Sequence, residues 1–227
     1  MIKITNAEVF GWDAAIRGMR NPMNSWDKSD SKHWRETIVG HDVEYRDIGR
    51  NNLTLMKKLV KAGSDHAKFM RFIIVTLDIT APLYWWKEFD TYKVGTVANS
   101  CSTMHTIANK EFTLDDFSYE HLTPAAIATI RTVIERLNFA RKEFLKGRKS
   151  SEFGMPSAKE YWWDMIQLLP SSYNQKRTVQ LNYAVLRNIY HARRNHKLDE
   201  WRDFCSWVES LPYAELITLG GNDNGKD

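Results

Sequence analysis

Apolar residues recur at helical spacing in several segments of the chain, and β-branched runs separate some of them. Positions three and four residues apart share one face of a helix, whereas alternate positions share one face of a strand. The pattern predicts strands over 2–12 and 69–79, and helices over 13–19, 52–62, 84–89, 123–146, 157–168, 178–194 and 198–211. Residues 21–32 are predicted as a loop and 94–105 as mixed loop and short strand. The predicted fold class is mixed α/β, with several helices around a small central sheet.

The segment 181–193 is the most informative of these, because polar residues interrupt its apolar stripe. It is predicted to lie within a single helix, with Asn182, Asn188 and Arg193 set into the apolar pattern. In such a helix Asn182 and Arg193 would lie near one face, separated by about 16 Å along the axis. Groups spaced in this way can contact different parts of one extended ligand. Periodicity alone favours the simpler interpretation, a surface helix whose polar residues face water.

Glycine and proline mark the ends of several predicted helices. Gly63 is a natural stop for helix 52–62, and Thr123-Pro124 is typical of a helix start. The best internal break, 147–156, is too short for a linker between domains. We therefore expect a single domain over 1–219, followed by a flexible tail over 220–227.

Composition places the chain among ordinary globular proteins. Of its 227 residues, 43% are hydrophobic and 26% are charged, which argues against disorder. The net charge of +4 mildly favours anionic ligands. The basic residues are scattered and no basic aromatic patch is visible, so we do not expect nucleic-acid binding.

The two cysteines, Cys101 and Cys205, belong to no CxxC motif and are predicted to be free thiols in a reducing compartment. The N-terminal residues lack the apolar core of a signal peptide, and no apolar run approaches the length of a membrane span. These features indicate a cytoplasmic protein, or one of the host cytoplasm if a phage encodes it.

Motifs that carry chemistry by themselves are scarce. The histidines have no zinc-ligand spacing, so no metal site is expected, and no glycine-rich phosphate loop is visible. Ser100, Cys101 and Ser102 can supply a nucleophile, but no GxSxG elbow surrounds them, and a polar turn is the simpler interpretation. His66, between a helix and a strand, can face a ligand or simply satisfy its own loop. Trp85-Trp86 is more typical of a core than of a stacking platform.

Taken in order, these pieces resemble the flavin-dependent thymidylate synthases. In that family a helix ends in Gly, and a His and then a strand follow it. Next come a helix that begins with Pro and carries a triplet led by a basic residue, and a signature that begins with Arg-His-Arg (RHR). Much later in the chain a Leu-Pro pair precedes a helix that contains Asn residues and ends in Arg. The matching residues here are Gly63, His66, Pro82, Lys87-Glu88-Phe89, Pro170, Asn182, Leu186, Asn188 and Arg193. The C-terminal helix is the more specific part of the match.

The resemblance fails at several basic positions. Thr91-Tyr92-Lys93 stands where the family has RHR, and Asn182-Tyr183-Ala184 stands where it has NAR. Thr96 takes the place of the first signature Ser, and Cys101 or Ser102 that of the second. A buried phosphate needs compensating donors, so Lys93, Arg71 or a backbone amide would have to substitute, or the ligand is different.

The resemblance implies a homotetramer with FAD at the subunit interfaces. It also implies the reductive methylation of dUMP to dTMP, with methylenetetrahydrofolate and NADPH as co-substrates. The residues it assigns to the cofactor are His66, Tyr92, Lys93, Asn182 and Asn188. Those it assigns to the nucleotide are Lys87, Glu88, Cys101, Ser102 and Arg193. Arg193 would polarise the pyrimidine, and Arg193 and Ser102 are the catalytic candidates.

Two alternatives stay open because the RHR and NAR arginines are missing. One is a divergent homologue that kept the scaffold and changed its nucleotide-modifying reaction. The other is a non-catalytic binding or structural protein on the same scaffold.

Overall fold

A computed structural model describes residues 2–38, 41–149 and 154–220 of the chain. Its strands are β1 (Lys3–Phe10), β2 (Lys32–Ile38), β3 (His41–Asp47), β4 (Ile74–Pro82), β5 (Val97–Ser100) and β6 (Asn174–Asn182). Its helices are α1 (Trp12–Arg20), α2 (Arg50–Lys61), α3 (Leu83–Phe89), α4 (Thr103–Thr106), α5 (Pro124–Leu145), α6 (Ala158–Gln167), α7 (Tyr183–Arg193), α8 (Asp199–Glu209) and α9 (Glu215–Thr218). Short 3-10 helices span Asn21–Met23, Trp26–Lys28, Ala67–Phe72 and Leu114–Asp116.

The strands form two sheets, and the chain divides into two compact units. Four strands are hydrogen-bonded in the order β1-β4-β6-β5, while β2 and β3 form an antiparallel pair. Unit 1 comprises Met1–Thr5, Asp78–Thr91 and Ala98–Val179; unit 2 comprises Asn6–Leu77, Tyr92–Val97 and Gln180–Asp227. The predicted mixed α/β fold class with a small sheet is confirmed. None of the described helices is both long and apolar enough to cross a membrane.

Unit 1 is built around the packing of α5 on α6. Helix α5 begins where the sequence predicts, with the hydroxyl of Thr123 accepting a hydrogen bond from the Ala126 N–H at 3.4 Å. Ser157 and Glu160 form a reciprocal capping box at the start of α6. The buried core of this unit includes Ile107, Phe112, Phe117, Ile130, Ile134, Leu137, Tyr161 and Met165.

The aromatic helix α3 belongs to the same unit. Trp85, Trp86 and Phe89 are almost fully buried, so the interpretation of the tryptophan pair as core is confirmed. The indole N–H of Trp86 donates to the carbonyl of Gln175 at 3.0 Å. The guanidinium of Arg177 covers the Trp86 ring, with 4.2 Å between its carbon and the ring centroid.

Unit 2 packs α7 against α8, α9 and the 3-10 helix Ala67–Phe72, which also contacts α1. Trp12 contacts the rings of Tyr183 and Tyr213 edge-on. Tyr183 donates its hydroxyl to the carbonyl of Pro212 at 2.6 Å. Burial, with the carboxylate of Glu215 nearby, raises the pKa of Tyr183, so its hydroxyl stays a neutral donor.

Two sequence predictions are wrong in this region. The segment 178–194 is not one helix: β6 ends at Asn182, and α7 begins at Tyr183. Side chains alternate between exposed and buried over 178–181, the signature of a strand. The predicted strand over 69–79 begins instead as 3-10 helix, and regular strand starts at Ile74.

The β2–β3 hairpin was not predicted. Lys32 pairs with Asp47 and Ile38 with His41 in its register. The predicted loop over 21–32 contains two 3-10 turns and gives way to β2 at its last residue. Of the predicted tail over 220–227, all but Gly220 lies outside the described residues, and the prediction of a single domain over 1–219 stays a prediction.

Candidate functional site

The residues predicted to form the site fall in both units. Unit 2 contains the cofactor candidates and the arginine predicted to be catalytic, namely His66, Tyr92, Lys93, Asn182, Asn188 and Arg193. Unit 1 contains the nucleotide candidates Lys87, Glu88, Cys101 and Ser102. The two groups are described separately below.

Arg193, at the end of α7, is held by two aromatic side chains. Its Nε donates to the hydroxyl of Tyr92 at 2.9 Å. Its guanidinium carbon lies 4.9 Å from the ring centroid of Trp201 on α8, which is fully buried. The rings of Tyr92 and Trp201 meet edge-on with centroids 6.0 Å apart. Two predicted site residues, Tyr92 and Arg193, are thus in direct contact, and the guanidinium is fixed while remaining partly accessible.

The segment carrying Tyr92 also approaches the start of α7. A Cβ at Gly95 would lie 3.1 Å from the amide nitrogen of Asn182 and 3.1 Å from Val185 Cγ2, and Gly95 has φ +78°. Only glycine meets both conditions without strain. Asn182, 9% exposed, uses its side-chain oxygen to cap α7 by accepting from the Val185 N–H at 3.1 Å. Asn182 is therefore a helix cap in the folded chain, whatever it contacts in addition.

His66 lines a cavity of about 800 Å³ within unit 2. The imidazole is exposed, and no described residue hydrogen-bonds to it. The apolar residues in the wall are Met19, Pro22, Met23, Leu55, Leu59 and Phe69. The charged residues are Arg20, Lys28, Asp65 and Lys68. This size and mixture are typical of small-molecule sites.

Arg20 gives this cavity a rigid cationic edge. It is 5% exposed, and its Nε and one terminal nitrogen both donate to Asn52 Oδ1, at 2.8 and 2.6 Å. The amide nitrogen of Asn52 in turn donates to the hydroxyls of Ser29 and Ser31. This network joins α1 to α2, and no sequence motif indicated it.

Asn188 lines a second, smaller cavity of about 140 Å³ in the same unit. The 3-10 helix Ala67–Phe72 and the turn before it contribute residues to both cavities. The other residues around the small cavity are Val60, Gly63, Ser64, Ala67, Met70, Arg71, Ala184 and Arg187. Ala184, where the resemblance leads one to expect an arginine, thus lines the same cavity as Arg71, one of the residues considered as a substitute for the missing positive charges.

Arg187 was missed by the sequence reasoning. Its guanidinium donates to the carbonyls of Ile217 at 3.0 Å, Leu219, and Gly220 at 2.9 Å, closing the end of α9. Burial lowers the pKa of Arg187 because the charge is partly removed from water. No local signal in the sequence indicated this role, because the three carbonyls lie 30 to 33 residues further along the chain.

Thr96 has a buried hydroxyl without a hydrogen-bond partner among the described residues. It occupies the position of the first signature serine. Buried polar atoms are nearly always satisfied by protein or by ordered water, so this hydroxyl is a candidate contact for a bound water or ligand. Lys93, three residues earlier, is exposed, and its carbonyl accepts from the Thr96 N–H at 3.4 Å.

The candidates in unit 1 lie at the ends of short elements. Lys87 is exposed on α3, and Glu88 is half-buried beside it. Two hydrogen bonds fix the backbone of Cys101. Its N–H donates to the carbonyl of Lys176 at 3.0 Å, and its carbonyl accepts from the side-chain amide of Gln175 at 3.2 Å. Ser102 is the residue before α4, and its hydroxyl contacts no described base. The fold therefore presents Ser102 as a polar donor and does not assemble a base beside it.

The two cysteines differ in environment. Both are free, as predicted; Cys101 is exposed and Cys205 is buried. Burial raises the pKa of Cys205 to about 12, so its thiol is inert near neutral pH. Within the described part of the chain no three His, Cys, Asp or Glu side chains are grouped to hold a metal ion.

Comparison with known proteins gives a structural match without a sequence match. No family model matches the sequence, and no curated protein matches it. Thymidylate synthase X from Helicobacter pylori, crystallised with FAD and dUMP, superposes with a TM-score of 0.62 at 15% identity, over 95% of this chain and 96% of that one. A second crystal structure of that enzyme is described as a flavin-dependent thymidylate synthase complexed with FAD and dUMP. It superposes with a TM-score of 0.61 at 15% identity, over 94% of this chain and 96% of that one. The chain therefore has the fold of the flavin-dependent thymidylate synthases, and the resemblance inferred from its sequence is confirmed at the level of the fold.

Proposed function

We propose that this protein is a flavin-dependent thymidylate synthase-like enzyme. It binds FAD and a pyrimidine nucleotide, and it methylates dUMP reductively to dTMP with methylenetetrahydrofolate and NADPH. The observation that carries the proposal is the direct contact of Tyr92 with Arg193, within a fold shared over nearly the whole chain. A shared fold does not by itself imply a shared function, so the proposal depends on what these side chains can do.

The residues of unit 2 suit a large cofactor with an aromatic ring system and phosphates. His66 and the apolar wall of the 800 Å³ cavity would accept a flat ring. The amide of Asn188 and the orphaned hydroxyl of Thr96 offer hydrogen bonds, and Tyr92, Lys93 and Asn182 complete the proposed set. FAD, when bound, supplies the hydride chemistry that no side chain can perform.

Arg193 is the residue proposed to act on the substrate. Its guanidinium is a planar cation that presents its donors in a fixed plane. The contacts with Tyr92 and Trp201 hold that plane before any ligand binds. A preorganised cation of this kind stabilises negative charge that develops on a pyrimidine carbonyl during the reaction.

Lys87, Glu88, Cys101 and Ser102 are proposed to orient the nucleotide. The ammonium of Lys87 suits a phosphate, and the hydroxyl of Ser102 suits a sugar or base oxygen. Since no described base activates Ser102, its proposed contribution is a hydrogen bond rather than a nucleophilic attack. A homotetrameric assembly is part of the same proposal, and sedimentation of the purified protein tests it.

The first experiment asks whether the protein is a flavoprotein. Purified protein should carry a flavin absorbance spectrum, or acquire one after incubation with FAD and gel filtration. Colourless protein that retains no added FAD would refute the enzyme and leave a non-catalytic protein on the same scaffold.

The second experiment asks which reaction the flavoprotein performs. Tritium release from [5-³H]dUMP in the presence of methylenetetrahydrofolate and NADPH is expected. A flavoprotein that releases no tritium, under conditions where a reference synthase does, would instead be the homologue with a changed reaction. The missing arginine at Ala184 is the feature that favours this alternative.

A further inference from the structure

The small cavity of unit 2 has an unbalanced charge. Arg71 and Arg187 both line it, and its lining contains no Asp or Glu. Arg187 donates hydrogen bonds to the backbone carbonyls at the end of α9. Because carbonyls are neutral, these bonds do not compensate the positive charge of Arg187. No described residue pairs with Arg71, whose side chain is exposed. Two cations that line one cavity favour the binding of an anion between them.

The remaining donors around the cavity match one kind of anion. Ser64 offers a hydroxyl and Asn188 an amide, and both line the same space as the two arginines. Guanidinium groups bind phosphate through paired, charge-assisted hydrogen bonds. The volume of about 140 Å³ holds a phosphate group with a little water but is too small for an aromatic ring system.

Residue 184 supplies no positive charge to this cavity. Ala184 lines the cavity but contributes only a methyl group. The positive charge therefore comes from the 3-10 helix, through Arg71, and from one turn further along α7, through Arg187.

We propose that Arg71 and Arg187 bind a phosphate group in this cavity. The identity of the molecule that carries the phosphate rests on the proposed function: for an FAD enzyme it is the phosphate of the cofactor. The same donors can also bind free inorganic phosphate or pyrophosphate, and the experiment separates the two sources of the phosphate group.

Binding of FAD, riboflavin and inorganic pyrophosphate is measured on the full-length protein by fluorescence titration and calorimetry. Arg71→Gln is expected to weaken FAD at least about 10-fold and to leave riboflavin, which has no phosphate, unchanged. Lys61→Gln is the matched control, since Lys61 is exposed on α2 and lines neither cavity. It removes the same charge and should bind all three ligands as the wild type does.

Ala184→Asp is the second variant, and it tests the site without removing an arginine. An acidic residue in the first turn of a helix is favourable, so folding should be preserved. The new carboxylate faces the two guanidinium groups and should exclude phosphate, lowering the affinity for FAD or pyrophosphate at least about 10-fold. Circular dichroism confirms that each variant is folded.

The outcomes separate this inference from the proposed function. Loss of FAD affinity with riboflavin unchanged identifies the phosphate as that of the cofactor, and loss of pyrophosphate affinity alone identifies a free phosphate. If wild type binds no FAD but binds pyrophosphate through Arg71, the proposed enzyme is wrong and the phosphate site stands. If Arg71→Gln and Ala184→Asp bind every ligand as Lys61→Gln does, the phosphate site is wrong.

Discussion

Helix α7 carries two arginines that are held in different ways. Arg187 is tied to three backbone carbonyls at the end of α9, and burial lowers its pKa. Arg193 is held through the hydroxyl of Tyr92 and the ring face of Trp201. The three carbonyl contacts use three of the five N–H donors of Arg187, whereas contact with a ring face restrains a guanidinium without using a donor. Arg187 therefore stabilises the fold as well as supplying positive charge, and Arg193 is the arginine proposed to act on a bound substrate.

Removing Arg193 should have the largest effect, and on activity. Arg193→Ala is expected to lower turnover in the tritium-release assay at least about 100-fold, since a preorganised cation is typically worth that much. Unfolding in urea should change by less than about 1 kcal/mol because the side chain is partly exposed. Arg202→Ala is the control: Arg202 is exposed and pairs with Asp199 on the surface. Turnover of Arg193→Ala equal to that of Arg202→Ala would show that Arg193 has no catalytic role.

Removing Arg187 should mainly lower the stability of the fold. Arg187→Met leaves the carbonyls at the end of α9 without donors and is expected to cost about 2 kcal/mol in the free energy of unfolding. This figure is at the low end for charged hydrogen bonds, because the side chain is only half-buried. Urea unfolding of Arg187→Met and Arg193→Ala side by side measures the contrast. Equal losses for the two variants would mean that the arginines do not differ as described.

Removing the cap at the start of α7 should have an intermediate effect. Asn182→Ala is expected to cost about 1 kcal/mol, since the Val185 N–H loses its acceptor. Asn182→Asp retains a capping oxygen and should keep most of that stability. A loss of FAD affinity in Asn182→Asp at unchanged stability would assign the Asn182 amide nitrogen to the cofactor as well.

The smallest effect is expected at Tyr92. Tyr92→Phe keeps the ring beside Arg193 and removes only the hydroxyl that accepts from its Nε. Stability should fall by about 0.5–1 kcal/mol, and turnover by less than about 10-fold, because the ring face of Trp201 still restrains the guanidinium. Turnover as low as that of Arg193→Ala would show that the hydroxyl, and not the ring, positions the arginine.

Local signals in the sequence were sufficient for several elements. Thr123-Pro124 located the start of α5, and Gly63 located the end of α2, because capping and positive φ depend on the residue itself. The same reasoning failed over 178–182. The apolar residues there suit a helix as well as a strand, and pairing with a distant strand decided between them. The β2–β3 hairpin escaped notice because its strands mix charged and apolar residues.

The candidate site divides in a similar way. The order of His66, Pro82, Asn182, Asn188 and Arg193 along the chain was sufficient to suggest the fold, since spacing within and between elements is a property of the sequence. The partners of these residues were not predictable. Tyr92 and Arg193 meet across a separation of 101 residues, and Arg71 joins Arg187 beside the same cavity.

By itself, then, the sequence determined the mixed α/β class, the helices with local caps, and a resemblance carried by a few ordered residues. Only the tertiary structure decided that Asn182 ends a strand and caps a helix. It also decided that Arg193 lies against Trp201, and that Arg187 closes α9. Caps and periodicity depend on neighbours along the chain, whereas burial and charge compensation depend on groups that only folding brings together.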